Sequence, residues 1–139
     1  MEVAVRVAGR APVERVWERY AVPARWAGWA PHIRGVDLDP GPDRIAPGLT
    51  GRVRGPLGVA VAFVVTDVDE TARTWAWTVR PAPGWRGLGA AGVLRMHLRH
   101  GVEPDPAGAA TWLALRGPAP AVAAYLPVAR VALARLVRP

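Results

Sequence analysis

PAPAVAAYLPVARVALARLV, residues 118–137, is the stretch on which the fold turns. Val122, Leu126, Ala129, Leu133 and Leu136 recur at three- and four-residue intervals and form one apolar stripe, with Tyr125 and Val137 at its margins. Arg135 and Arg138 fall on the opposite side. Pro118 and Pro120 suit a helix start, where the first N–H groups have no intrahelical partner. Pro127 lies inside the pattern and predicts a bend, because it removes one backbone hydrogen bond and crowds the preceding turn. At about 1.5 Å per residue the helix should span roughly 25–30 Å. One long helix with one apolar side needs a sheet to bury it.

Upstream, strands dominate. Val3, Val5 and Val7 alternate with Ala4 and Arg6, a short half-buried strand. Pro12 can open a helix through Val13, Val16, Trp17 and Tyr20, which Pro23 ends, and Ala24–Trp29 offers a second short helix before Pro31. Further strands are expected at Ile33–Leu38, Leu49–Arg54, Leu57–Val68, Arg73–Arg80, Val93–Glu103 and Ala109–Arg116. Residues 81–92, rich in Gly and Pro, read as a long loop. The order β-α-α-β-β-β-β-β-β-α with short connections implies an antiparallel meander. The predicted fold is therefore α+β: one domain over 1–139, six to seven curved strands around the C-terminal helix. A sheet bent around one helix leaves an interior that the helix alone cannot fill.

Hydrophobic residues make up 51% of the chain, which excludes a disordered protein. With no Cys, neither a disulfide framework nor a Cys-ligated zinc site can form. Lys, Ser, Asn and Gln are also absent, which removes a serine nucleophile, a lysine Schiff base and an amide-built oxyanion hole. The net charge of +7 comes from arginine alone. These arginines are scattered and accompany Ala, Gly and Pro, a compositional drift that argues against nucleic-acid binding. No uninterrupted apolar run reaches membrane-spanning length, and Glu2 after Met1 opens no secretory leader, so a cytoplasmic protein is expected.

The chain resembles the helix-grip superfamily of START lipid-transfer domains, birch-pollen allergens and bacterial polyketide cyclases/dehydrases (the SRPBCC group). The resemblance rests on the opening Val3–Val7 strand, Ala11-Pro12-Val13-Glu14-Arg15-Val16-Trp17, and Trp26-Ala27-Gly28-Trp29-Ala30-Pro31-His32-Ile33. Thr74-Trp75-Ala76-Trp77, His97, Gly108–Thr111 and the closing helix complete it. It covers essentially the whole chain and implies a hydrophobic cavity between sheet and helix. Members range from cyclases to lipid carriers, so fold does not select a reaction.

Seven tryptophans need placing. Trp17 reads as core. Trp26 and Trp29, three apart on one helix, share a face and either line the cavity mouth or staple the short helices down. Trp75 and Trp77 share a strand face that should look inward, since Thr74, Thr78 and Arg80 occupy the other. Trp85 in the Gly/Pro loop is a candidate lid, and Trp112 is left open. Phe63, Met96, Leu126 and Leu133 complete the candidate ligand-binding set.

Three candidates for proton transfer accompany them: His97, His100 and Tyr125. His97 and His100 are three apart on a strand, point to opposite faces and cannot chelate one ion, so no metal is expected. His100 shares its face with Met96, Leu98 and Val102 and looks inward. His97 looks solvated, although the resemblance places a histidine near that point. His32 reads as a cap at a strand entrance. Asp37, Asp39, Asp67, Asp69 and Glu70 read as solvated strand ends and turns, and Arg52 and Arg54 as an outer face or a carboxylate clamp.

Two readings follow. In the first the protein binds an aromatic or polyketide-like molecule; in the second it catalyses a cyclase or dehydratase reaction with Arg, His or Tyr and no cofactor. Val128 and Val131, on the outer side of the last helix, leave room for a homodimer.

Overall fold

Strand alternation builds the sheet, and the computed structural model describes it for residues 1–82 and 95–139. The strands are β1 (Glu2–Gly9), β2 (Gly35–Leu38), β3 (Thr50–Arg54), β4 (Ala60–Asp69), β5 (Thr74–Pro81), β6 (Met96–Asp105) and β7 (Gly108–Arg116). The helices are α1 (Val13–Ala21), α2 (Trp26–Trp29) and α3 (Ala119–Leu136). All seven strands form one curved antiparallel sheet in the order β1-β7-β6-β5-β4-β3-β2. The first two strands in sequence thus sit at opposite edges, and α1 and α2 cross the width between them. A register shift between Val65 and Asp67 interrupts the β4–β5 ladder and adds local bend.

Two predicted strands start later than expected. Ile33 donates its N–H to the Ala30 carbonyl, and the sheet takes over only at Gly35. Residues Pro56–Gly58 form a 3-10 turn with Leu57 at φ 58°, fully exposed, so β4 begins at Ala60 instead of Leu57. The predicted loop with Trp85, and the start of the strand expected from Val93, lie outside the described residues.

The end of α1 explains why two tryptophans follow it so closely. A helix leaves its last four carbonyls without intrahelical donors. Here Val22 N–H bonds Glu18 O and Ile45 N–H bonds Ala21 O. The indole of Trp29 donates to Arg19 O at 3.0 Å, and that of Trp26 to Tyr20 O at 2.8 Å. All four are satisfied, two of them by indoles. At the other end of the molecule's polar network, Trp17 is core as expected, but its indole N–H donates to Glu70. Arg44 bridges Glu70 at 2.6 Å and Glu18 at 2.7 Å, so Glu70 ties the β4–β5 turn to α1 and is more than a solvated turn residue.

Helix α3 runs through Pro127 as one element. Its buried residues are Val122, Ala129, Ala132, Leu133 and Leu136. Of the five residues in the predicted stripe, Val122, Ala129, Leu133 and Leu136 are buried as expected; Ala132 joins them, and Leu126 is only half-buried. By length and mean hydropathy (1.3 over 18 residues) α3 is apolar enough to cross a membrane, which counting uninterrupted runs missed because Arg130 and Arg135 break it. In this fold it lies against the sheet.

The C-terminal end of α3 is seated by glycine. A Cβ on Gly9 would run into the Val137 carbonyl and side chain, and that carbonyl accepts the Ala11 N–H at 3.0 Å. Gly9→Ala must push the two elements apart and is expected to cost about 1–3 kcal/mol, read as a lower urea midpoint at unchanged slope.

Candidate functional site

Between the inner sheet face, α2 and α3 lies a hollow of about 230 Å³. Valines, Leu98 and Leu113 from the sheet side and Ala129, Ala132 and Leu133 of α3 form the aliphatic part of its wall. Ala129 and Ala132 are the reason it exists: two methyl groups stand where a longer side chain would fill the space. The predicted Trp26, Trp29, Trp75, Trp77, Met96 and Leu133 all line it. Trp26 and Trp29, read as lining a cavity mouth or stapling the short helices down, border the hollow and also bond the end of α1.

The indoles form one aromatic body. Trp26 stacks on Trp75 at 5.6 Å, and Trp77 lies 5.1 Å from each of them. Trp75 in turn stacks on the His100 ring at 4.8 Å and 13°. Phe63 faces inward but packs behind Trp26 and Trp77, at 5.7 and 5.6 Å, and is absent from the wall. Leu126 does not line the wall either; the α3 residues that do are Tyr125, Ala129, Ala132 and Leu133. Trp85 lies outside the described residues.

The two strand histidines part as the two-residue period requires. His97 is exposed on the outer face, where it meets Thr78 Oγ1 at 3.0 Å, so the cavity role suggested for it does not hold. Arg52 and Arg54 share that outer side, and Arg54 pairs with Asp37 at 2.8 Å, which rules them out as a clamp inside the cavity. His100 is buried at the cavity floor, and burial pushes its pKa down to about 3. Trp77 Nε1–H donates to His100 Nε2 at 3.0 Å, so that nitrogen carries the lone pair. The proton of the neutral ring is then on Nδ1, which donates to the Tyr20 hydroxyl at 3.3 Å. Tyr20 passes its own proton to Thr111 Oγ1 at 2.5 Å, and Thr111 donates to the Gly101 carbonyl at 3.0 Å. Every donor in this chain points the same way. Both His100 nitrogens are occupied, which leaves no ring nitrogen for proton exchange with a ligand.

The open polar groups are elsewhere. His32 and Tyr125 meet edge to face at 5.7 Å where the hollow opens into a second apolar groove of about 520 Å³ beside α3. His32 Nδ1 is buried with no hydrogen-bond partner among the described residues, and burial lowers the ring's pKa. Burial raises the Tyr125 pKa to about 12. Trp75 Nε1 is the other buried side-chain polar atom without a partner among the described residues. Sequence reasoning sets Tyr125 at the margin of the apolar stripe, and it borders the hollow; from sequence, His32 reads as a cap. Its one signal was position, directly after the paired tryptophans of α2.

Over residues 1–139 the sequence matches the model of a family described as polyketide cyclase / dehydrase and lipid transport. The chain belongs to that family. No curated protein matches the sequence. Among solved structures, Ara h 8.0201 superposes with a TM-score of 0.75 at 12% identity, covering 99% of this chain and 95% of that one. A protein from Nitrosospira multiformis gives 0.75 at 19% identity, with 99% and 94% covered. One from Rhizobium leguminosarum gives 0.69 at 20%, with 99% and 91% covered. At such identities the likeness is one of fold. Within the polyketide cyclase/dehydrase and lipid transport family, the chemistry of this member rests on its own cavity wall.

Proposed function

We propose that the protein is a cytoplasmic binding protein for a flat, uncharged, aromatic or polyketide-like molecule held in the tryptophan-walled hollow. The observation that carries this reading is the wall itself: three mutually packed indoles, a fourth at Trp29, and no Asp, Glu or Arg among the described lining residues. A charged ligand would lose its hydration there without a partner, at a cost of several kcal/mol. An engineered cavity of about 150 Å³ accepts benzene, so a hollow of about 230 Å³ suits two fused rings. His32 and Tyr125 give the ligand one polar end, and the groove beyond them has room for a substituent.

Filling the hollow tests this. Ala129→Phe is expected to weaken binding of a naphthol-type probe by at least about tenfold, since each 1.4 kcal/mol is a decade of affinity. The readout is quenching of tryptophan fluorescence, with circular dichroism confirming that the variant folds. Wild-type fluorescence that does not respond to any bicyclic aromatic would refute the reading.

A second reading is supported by one observation, the unpaired His32 Nδ1 facing Tyr125. A neutral imidazole can take a proton, and a phenol that stays protonated can polarise a carbonyl. Cyclase or dehydratase chemistry would then belong to these two residues instead of His97 and His100. In that case His32→Ala and Tyr125→Phe would each lower turnover of a poly-β-ketone while leaving fluorescence quenching nearly intact. Absence of turnover in the wild type would leave binding alone.

A further inference from the structure

Trp29 has a second side. One part of its indole lines the hollow; another borders a surface groove of about 570 Å³ between the end of α1, α2 and the end of α3. Four arginines line that groove: Arg19, Arg25, Arg135 and Arg138. They come from three separate parts of the chain, so no single run of sequence announces them. No Asp or Glu is present in the groove wall, and none of the four forms an ion pair with a described carboxylate. Arg6, Arg44, Arg54 and Arg73, by contrast, each pair with one or two acids. Pro139 also lines the groove.

Arg19 is held in place. Its Nη1 donates to Leu136 O at 2.7 Å and to Arg138 O at 2.5 Å, capping the negative end of the α3 dipole. Its pKa is lowered by burial first and then by repulsion from Arg15 and Arg25. Like charges gathered at one place cost free energy unless an anion joins them. Planar guanidiniums with several N–H donors match the spread oxygens of a phosphate better than a single carboxylate, which one arginine satisfies.

We propose that this groove binds a phosphate group, on a soluble phosphorylated molecule or a lipid headgroup, on the far side of Trp29 from the hollow. The site is independent of what the hollow holds, so either proposal can fail alone.

Gly28 provides a clean probe. It lines the groove, its φ is not left-handed, and a Cβ there would meet nothing within 4 Å. Gly28→Glu therefore puts a carboxylate among the arginines without disturbing packing, and Gly28→Ala is the matched control. Full-length protein would be titrated calorimetrically with inorganic pyrophosphate, and sedimented with phosphatidylcholine vesicles with and without phosphatidylglycerol. Binding in either arm should weaken steeply with added salt and fall by at least about tenfold in Gly28→Glu and in Arg25→Ala/Arg135→Ala, but not in Gly28→Ala. Pyrophosphate binding alone identifies a soluble phosphate, and vesicle binding alone a headgroup. The proposal is overturned if neither binds the wild type, or if Gly28→Glu binds as well as the wild type.

Discussion

Trp26→Ala should remove about 3–5 kcal/mol of folding stability and lower the melting temperature by roughly 10–20 °C. The side chain is 1% exposed and touches Phe63, Trp75 and Trp77 with its faces. Truncation deletes those contacts beside a hollow that is already open, so neighbouring rings gain freedom instead of closing the gap. It also removes the donor to the Tyr20 carbonyl, and a buried carbonyl left without a partner costs about 1–3 kcal/mol by itself. Trp26→Phe separates the two contributions: it retains most of the ring contact, loses the N–H, and should cost less than half as much. Urea denaturation of the three proteins measures this. A loss below about 1 kcal/mol for Trp26→Ala would mean that the capping of α1 and the aromatic packing are both dispensable.

Acid should destabilise the protein well before its carboxylates titrate. The folded-state pKa of His100, about 3, lies below the ordinary histidine value of 6.5. The unfolded chain therefore binds a proton that the native state refuses, and stability rises with pH across that window. It is complete above pH ~6.5 and declines on acidification, by about 2–3 kcal/mol at pH ~4.5 and further toward pH ~3. His32, lowered by burial, adds a slope of the same sign. Below pH ~4.5 Glu70 and Asp105 join them, because their bonded native forms resist protonation. Comparing urea midpoints at pH 7 and pH 4.5 for wild type and His100→Phe isolates the one residue. The variant is weaker at pH 7, since Trp77 and Tyr20 lose a partner, but its stability should change less with pH. Parallel pH profiles would show that His100 is protonated in the native state, and the one-way chain of hydrogen bonds would be wrong.

That chain also shows how a correct sequence inference can stop short. A period of two places His97 and His100 on opposite faces, and the company of Met96, Leu98 and Val102 turns His100 inward, as observed. Periodicity says nothing about which atoms meet. The partners of His100, Trp77 on β5 and Tyr20 on α1, come from far away in sequence, and they determine its tautomer and its unavailability for proton transfer. His32 shows the reverse: its one local signal, a place shortly after the tryptophans of α2, gives no role, and the approach of Tyr125 from α3 makes its ring part of a cavity mouth.

What the sequence by itself determined is the layout: alternation set the strands and their inward tryptophans, proline bounded the short helices, and one apolar helix demanded a sheet. These are properties of neighbours along the chain, where backbone geometry sets the period. Tertiary structure alone decided which α3 side chains reach the wall: Tyr125 and Ala132 stand there beside the expected Leu133, and Leu126 does not. It also brought four arginines from separate parts of the chain to one groove beside Trp29. Such outcomes depend on contacts between elements far apart in sequence, and those contacts exist only once the chain has folded.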